Sequence, residues 1–307
     1  MDDRHPSRPG IRELLSPTNS LLKVFRRALA AGVTREGWLA IEGPLLLQEA
    51  VDAFCAWPRR PDAGARDARG SSRVDPHPGA ASSGSIHSVL VSRSSEEKFR
   101  ALIERLPAEA EIARVPDRVF GRIALTETPQ GIAALVELPR YDLAQVAAQR
   151  DVLLLVACEL QDPGNLGTMM RSAQALGASA FITLPATVSP FNPKAVRSSA
   201  GAILRLPVFH RVEAGALFER LRSAGVRIVA ADRRSPCSLA QADLRGPLAV
   251  LIGNEAAGLP EGIARQAALR LSVPIRAGTD SLNAATAAGI VLYEAARQRG
   301  FSYGDNG

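Results

Sequence analysis

Three turns in the second half of the chain hold the residues that could do chemistry. Residues 162–171 read D-P-G-N-L-G-T-M-M-R, residues 252–260 read I-G-N-E-A-A-G-L-P, and residues 273–283 read V-P-I-R-A-G-T-D-S-L-N. Each turn follows an apolar run and is rich in Gly, Asn or Pro. A strand that ends in such a turn and hands over to a helix is where open α/β sheets place ligands. In the first turn, Gly164 and Gly167 let the backbone approach a ligand or another segment closely. Asn165 and Gly167 sit at that turn, and Arg171 falls inside the first turns of the helix that follows. Glu255 in the second turn, with Ser281 and Asn283 in the third, completes the polar set.

Every one of these side chains also has a plain structural role. At about 100° per residue, Met169, Ala173 and Leu176 share one helix face and Arg171 lies roughly 200° from Ala173. Taken alone, Arg171 therefore reads as a solvated charge. Glu255 on residue type alone accepts the free N–H groups of its own turn. Ser281 and Asn283 read as helix caps. The standard nucleotide and nucleophile signatures are missing: no G-x-G-x-x-G follows the strand at 152–158, and the chain has no G-x-x-x-x-G-K-S/T and no G-x-S-x-G.

The elements that must position these residues alternate. Strands are predicted at 152–158, 180–184, 206–210, 227–231, 248–252 and 269–273, with helices at 166–176, 194–204, 214–224 and 261–266 and a last helix over 283–299. Strand–helix alternation implies an α/β fold with a largely parallel sheet and helices on both faces. The stretch 284–293 contains only Thr286 as a polar residue. A helix apolar all round has no solvent face, so it buries within the domain or against a partner, and a homodimer through this helix is the expectation.

The first half reads as a separate α/β unit: helix 19–31, strand 37–41, helix 45–57 begun by Gly43-Pro44, strand 86–91, helix 95–106, strand 111–115, helix 117–124 and strand 132–136. Residues 1–16 read as a loose end and 141–150 as a linker. Between 59 and 85 the only large aliphatic residue is Val74. That segment cannot offset its ordering entropy by burial, so a disordered insertion or long surface loop is expected.

Composition sets the bounds. The 307 residues can bury a substantial core and suit two domains. Net charge is +6, from 21 basic and 19 acidic residues in 1–150 and 16 and 12 beyond. A mild basic excess suits an anionic partner such as RNA. Aromatics are only 5%, which disfavours binding through rows of stacking rings. Cys55, Cys158 and Cys237 are far apart, as are the four His, so neither a disulfide framework nor a metal site is indicated. No signal-like start and no run near 20 apolar residues is present, so a soluble, cytoplasmic protein is expected.

Together, in this order and spacing, the three turns resemble the motifs of the SpoU (TrmH) family of SPOUT RNA methyltransferases. D-P-G-N-L-G-T-M-M-R-S-A is similar to the first motif, G-N-E-A-A-G-L to the second, and S-L-N with A-A-G-I-V-L-Y-E-A to the third; residues 189–202 resemble the stretch between motifs. Ala284-Ala285-Thr286 departs from the bulkier Val more usual there. The resemblance implies a methyltransferase domain over 151–300 with a trefoil knot, a rare exception to unthreaded chains. It implies a smaller L30e-like RNA-binding domain over 12–138, carried more weakly by 37–49 and 127–132, with 139–150 as linker. It further implies S-adenosylmethionine as cofactor, held near Leu184, Gly253, Val273 and Leu282, and a dimer with the site near its interface.

The implied reaction is methylation of a ribose 2′-OH in RNA, with ribosomal RNA expected from the separate N-terminal domain. The same chemistry on tRNA is the alternative within the family. By the resemblance, Arg171 activates the hydroxyl. An Arg pKa above about 12 argues for positioning and alkoxide stabilisation over proton abstraction. Asn165 orients the Arg or the ribose, Glu255 holds the motif loops, and Ser281 and Asn283 hold ribose or phosphate. A non-catalytic RNA-binding or ribosome-assembly protein is the alternative of another class, disfavoured because binding alone does not need Asn165, Arg171, Glu255 and Asn283 together.

Overall fold

The computed structural model describes residues 10–16, 18–55 and 80–301. These fall into two compact units, one running to Arg140 and one from Tyr141 onward, with Ala80 and Ala81 grouped in the second.

The first unit contains strands β1 (Arg12–Glu13), β2 (Leu39–Glu42), β4 (Ser85–Ser92), β5 (Glu111–Val115) and β6 (Ile132–Glu137), and the short strands β3 (Ala80–Ser82) and β7 (Arg140–Tyr141) straddle the division between the units. Its helices are α1 (Ser20–Ala31), α2 (Pro44–Phe54), α3 (Arg100–Glu104) and α4 (Asp117–Gly121). Five strands form a mixed sheet in the order β1-β5-β4-β6-β2, and β3 pairs with β7 in a ribbon. Helix α1 begins where Asn19 accepts the Leu21 N–H at 2.9 Å, a cap read directly from residue type. Its apolar spacing then buries Leu22, Phe25, Ala28 and Leu29 against the sheet.

The structure departs from three expectations here. The loose end stops earlier than 16, because β1 pairs parallel with β5 and Leu14 is buried. Most of the expected insertion at 59–85 lies outside the described residues, but its last part is ordered: β3 and the start of β4 belong to sheets. The helix expected over 95–106 is reduced to α3. Ser94 and Ser95 do not cap it, since their hydroxyls donate to Asp117 (2.6 Å) and the Gln130 carbonyl (3.2 Å).

The second unit carries α5 (Leu143–Ala147), β8 (Leu153–Ala157), α6 (Pro163–Ala175), β9 (Ala180–Thr183), α7 (Pro193–Ser198), β10 (Val208–Phe209) and α8 (Ala214–Ser223). It continues with β11 (Arg227–Ala231), β12 (Leu248–Ile252), α9 (Glu261–Ala264), β13 (Leu269–Leu271) and α10 (Ala284–Gln298). Six strands form an all-parallel sheet in the order β10-β9-β8-β12-β11-β13. Strands β8 and β12 are buried throughout, as near-continuous runs of Leu, Val, Ala and Ile require in a sheet covered on both faces. The helix expected over 194–204 is split: Ala200 (φ 48°) and Gly201 (φ 93°) are left-handed and end α7.

The order of strands decides where a ligand can sit. From β8 the chain builds outward through β9 to β10, then returns to the other side of β8 for β11 and β12. This reversal puts a topological switch point between β8 and β12, and a crevice opens at the carboxyl ends of such neighbours. The loops after β8 and β12 are the first two of the three turns.

Candidate active site

The first turn is shorter than its sequence implies. Asp162 is the N-cap of α6, accepting the Asn165 N–H at 2.8 Å, and Pro163 opens the helix. Asn165 and Gly167 therefore sit inside the helix, not at the turn, because Pro at the first helical position costs no hydrogen bond. The N–H of Asn165, and after it the Lys194 ammonium 3.0 Å away, hold the Asp162 carboxyl below its ordinary range. Gly167 makes the tightest crossing: a Cβ there would stand 2.3 Å from the Ala195 carbonyl oxygen of α7. Its need for Gly is a helix–helix contact.

The helix start brings the three turns together. Asn165 Nδ2 donates to Glu255 Oε1 at 2.8 Å, and Asn283 Nδ2 donates to Asn165 Oδ1 at 2.8 Å. Asn283 also caps α10, its Oδ1 accepting the N–H groups of Ala285 (2.9 Å) and Thr286 (3.2 Å). The cap role and the site role are thus carried by opposite ends of one carboxamide. The task of quieting the 253–260 turn falls to Asn254, whose Oδ1 accepts from Ala256 and Ala257 and whose Nδ2 donates to the Glu159 carbonyl at 3.1 Å. Glu255 is thereby left to face Asn165.

Beside this chain of bonds lies a cavity of about 800 Å³ at the carboxyl ends of β11, β12 and β13. Gly253, Val273 and Leu282 line it, with Glu255 and Ser281. Leu184 does not: it is buried in the core cluster among Ile182, Leu154 and Ala180. Its place at the end of β9, two strands from β12, explains the separation. Apolar walls come from Ile252, Leu259, Leu271 and Ile275, carboxylates from Asp232, Glu255, Glu261 and Asp280, and guanidinium groups from Arg233, Arg234 and Arg270. Gly253 has no room for a side chain, since a Cβ would stand 2.3 Å from the Gly258 carbonyl carbon and 2.4 Å from the Leu259 nitrogen.

Arg171 stands apart. It is exposed, makes no hydrogen bond or ion pair with any described residue, and lines neither this cavity nor the shallower groove between α6 and α10. That agrees with its angular position opposite buried Met169 and Ala173. Ser281 is exposed and outside the Asn165 network. The sequence reading passes over Asp232, whose signal is positional: it is the first residue after an apolar strand, at the sheet's carboxyl edge. Its side chain accepts the Arg234 N–H at 3.0 Å and lies 3.8 Å from Arg270.

The chain's likeness to known proteins bears on this geometry. Residues 152–293 match the model of the SpoU rRNA Methylase family, a span that holds all three turns. A 23S rRNA uridine 2′-O-methyltransferase of Streptomyces viridochromogenes is 36% identical over 205 residues, covering 65% of this chain and 71% of that protein. The chain belongs to the SpoU methylase family. A 23S rRNA guanosine 2′-O-methyltransferase, RlmP, of Bacillus subtilis is 34% identical over 193 residues, 62% of this chain and 75% of its own length. Among solved structures, an AdoMet-bound rRNA methyltransferase of Sinorhizobium meliloti superposes with a TM-score of 0.72 at 26% identity, covering 94% of this chain and 98% of that one. This likeness over both units agrees with the α/β fold and its largely parallel sheet. No helix among the described residues is long and apolar enough to cross a membrane, and none of their His, Cys, Asp and Glu side chains form a group of three that could hold a metal.

Proposed function

We propose that this protein transfers a methyl group from S-adenosylmethionine to a ribose 2′-OH of RNA, with ribosomal RNA as the substrate. The observation that carries the reading is the hydrogen-bonded chain Glu255–Asn165–Asn283, which ties three strand-end loops together beside a cavity of small-molecule size. A non-catalytic RNA binder has no use for that convergence.

The cavity residues fit the cofactor. Its apolar walls suit an adenine ring, its carboxylates suit the ligand's ammonium and sulfonium, and its arginines suit the ligand's own carboxylate. Gly253, Val273 and Leu282 would hold it chiefly through backbone groups, with the side-chain-free backbone at 253 keeping the two arms of the loop in contact. When bound, the cofactor supplies an electrophilic methyl group on sulfur. The ribose hydroxyl is a poor nucleophile at neutral pH, so its alignment and the loss of its proton both need help. Arg171, a guanidinium without a carboxylate partner among the described residues, positions the hydroxyl or its neighbouring phosphate and stabilises the developing alkoxide. Asn165 fixes the first motif to the other two. Glu255 holds the second motif, Asn283 the third, and Ser281 contacts ribose or phosphate from the cavity rim.

On this reading 151–300 is the methyltransferase domain, knotted at its C-terminal end, and 12–138 is an L30e-like RNA-binding domain joined by 139–150. The protein acts in the cytoplasm as a homodimer. Support for the dimer comes from α10, whose apolar first part, 284–293, leaves Ile290 and Tyr293 exposed. The test is direct. Purified protein with labelled S-adenosylmethionine and rRNA should yield a 2′-O-methylated nucleotide at a discrete position, and absence of product together with absence of cofactor binding would refute the proposal.

A further inference from the structure

We propose that the face of the first unit formed by α1 and α4 is a docking surface for the phosphate backbone of RNA. The inference rests on the methyltransferase reading only for the identity of the polyanion. Both helices cover the same side of the five-stranded sheet, where Phe25 and Leu29 of α1 and Val119 and Phe120 of α4 share one cluster with Leu90 and Leu135. Burying that stripe turns the opposite arc of α1 to solvent. Arg26, Lys23 and Arg27 span about 100° of this arc at 100° per residue, and all three are exposed. Arg118 of α4 and Arg122, which follows its last turn, are exposed as well.

None of these five cations has a hydrogen bond or ion pair with any described residue. Helix α1 contains no acidic residue. The one carboxylate of α4, Asp117, is occupied by the hydroxyl of Ser94 (2.6 Å) and its N–H (3.3 Å). Many arginines elsewhere on the unit are paired, Arg93 with Glu13, Arg100 with Glu97, Arg105 with Asp52 at 2.5 Å and Arg114 with Glu96 at 3.0 Å, whereas Arg35 and Lys98 stand singly without an ion pair among the described residues. Charge is therefore uneven over the unit, with five cations that have no partner among the described residues gathered on a single helical layer. Lys23 stands about one turn from Arg26 and Arg27, roughly 6 Å along the axis from Lys23 to Arg27. The arc carries no aromatic side chain, so this face grips phosphate and leaves base recognition to other parts of the molecule.

The experiment measures binding of a 23S rRNA transcript to the full-length protein across a range of salt. The quintuple variant Lys23→Ala, Arg26→Ala, Arg27→Ala, Arg118→Ala and Arg122→Ala keeps the buried stripe. It should bind roughly tenfold or more weakly near 0.15 M salt, with a salt dependence less steep by about 3 to 4. S-adenosylmethionine binding by calorimetry should be unchanged, which shows the fold intact. Replacing the four arginines with Lys at the same positions should restore the wild-type slope. Arg100→Ala with Arg105→Ala, which removes paired cations, should leave the slope alone. A wild-type slope in the quintuple variant, or an equal loss in the paired-cation control, overturns the surface. Failure of the wild-type protein to bind rRNA at all, with the cofactor still bound, overturns the surface and the RNA substrate but not the cofactor assignment.

Discussion

Substituting Gly253 tests the cofactor cavity with a change of one methyl group. A Cβ at this position would lie 2.3 Å from the Gly258 carbonyl carbon, 2.4 Å from its oxygen and 2.4 Å from the Leu259 nitrogen. Ordinary carbon contacts need about 3.5 Å, so one arm of the loop must move by roughly 1 Å. All three neighbours are backbone atoms, and no side chain can rotate away. The loop is also braced: Asn254 and Gly258 exchange two backbone hydrogen bonds of 2.9 Å, and Asn254 holds both following N–H groups. Overpacking of this kind costs about 1–3 kcal/mol of stability. The functional loss should be larger, because a displacement of about 1 Å at a reacting site costs on the order of 10²-fold. Gly253→Ala should therefore weaken S-adenosylmethionine binding by roughly tenfold or more in calorimetry and lower the melting temperature by several degrees. Gly262→Ala is the matched control, since a Cβ there meets nothing within 4 Å in α9. Wild-type cofactor affinity in Gly253→Ala would refute the assignment of this loop to the cofactor.

Four further outcomes follow from the geometry. Arg171→Ala should lower the rate of 2′-O-methylation by about 10²–10³-fold while leaving thermal unfolding unchanged, because no described residue pairs with it; unaltered turnover would remove its role. Asn165→Ala deletes two hydrogen bonds of 2.8 Å and should cost about 1–3 kcal/mol in denaturant unfolding as well as activity. Glu294 is held down to about 2 by Arg297 and then by Gln298. Its stabilising contribution is complete above the ordinary carboxylate range and is lost as pH falls from about 4.3 toward 2. Acid unfolding of Glu294→Gln should lack that part of the pH dependence. The Cys158 thiol, pushed up to about 12 chiefly by burial, should resist alkylation at pH 8 in the folded protein and react on unfolding.

The second unit was largely legible because its strands are buried on both faces. Runs such as 227–231 and 248–252 are continuous apolar segments bounded by polar turns, and β11 and β12 occupy those residues without shift. What periodicity could not supply was tertiary closeness. Met169 and Ala173 identify the buried side of α6, but only the fold shows that Asn165 meets Glu255 and Asn283, 90 and 118 residues away. The break between α7 and the following turn escaped because Ala200 is an ordinary helix former held left-handed by its surroundings. Strand β1 escaped for another reason: two residues make too short a pattern, and their order comes from pairing with β5. Leu184 is apolar and follows a strand; its side chain belongs to the core, which leaves its backbone groups for the cofactor contact that the resemblance implies.

The identity of residue 165 follows from what each neighbour needs. Glu255 offers a carboxylate oxygen and so requires a donor. Asn283 has committed its own oxygen to the α10 cap, so its amide nitrogen remains and requires an acceptor. Only a carboxamide presents a donor and an acceptor from one short side chain at the start of a helix. An Asp at 165 would set two carboxylates 2.8 Å apart, and a Ser could not reach in both directions. This use of Asn165 also bears on Arg171, less than two helical turns further on. With Asn165 bonded to Glu255 and Asn283, the Glu255 carboxylate is engaged by an amide and makes no ion pair with Arg171. A salt bridge there would stabilise the resting protein and spend the charge that an RNA phosphate or a developing alkoxide needs. An exposed Arg without an ion pair among the described residues is what the role proposed for Arg171, toward an RNA phosphate or a developing alkoxide, requires.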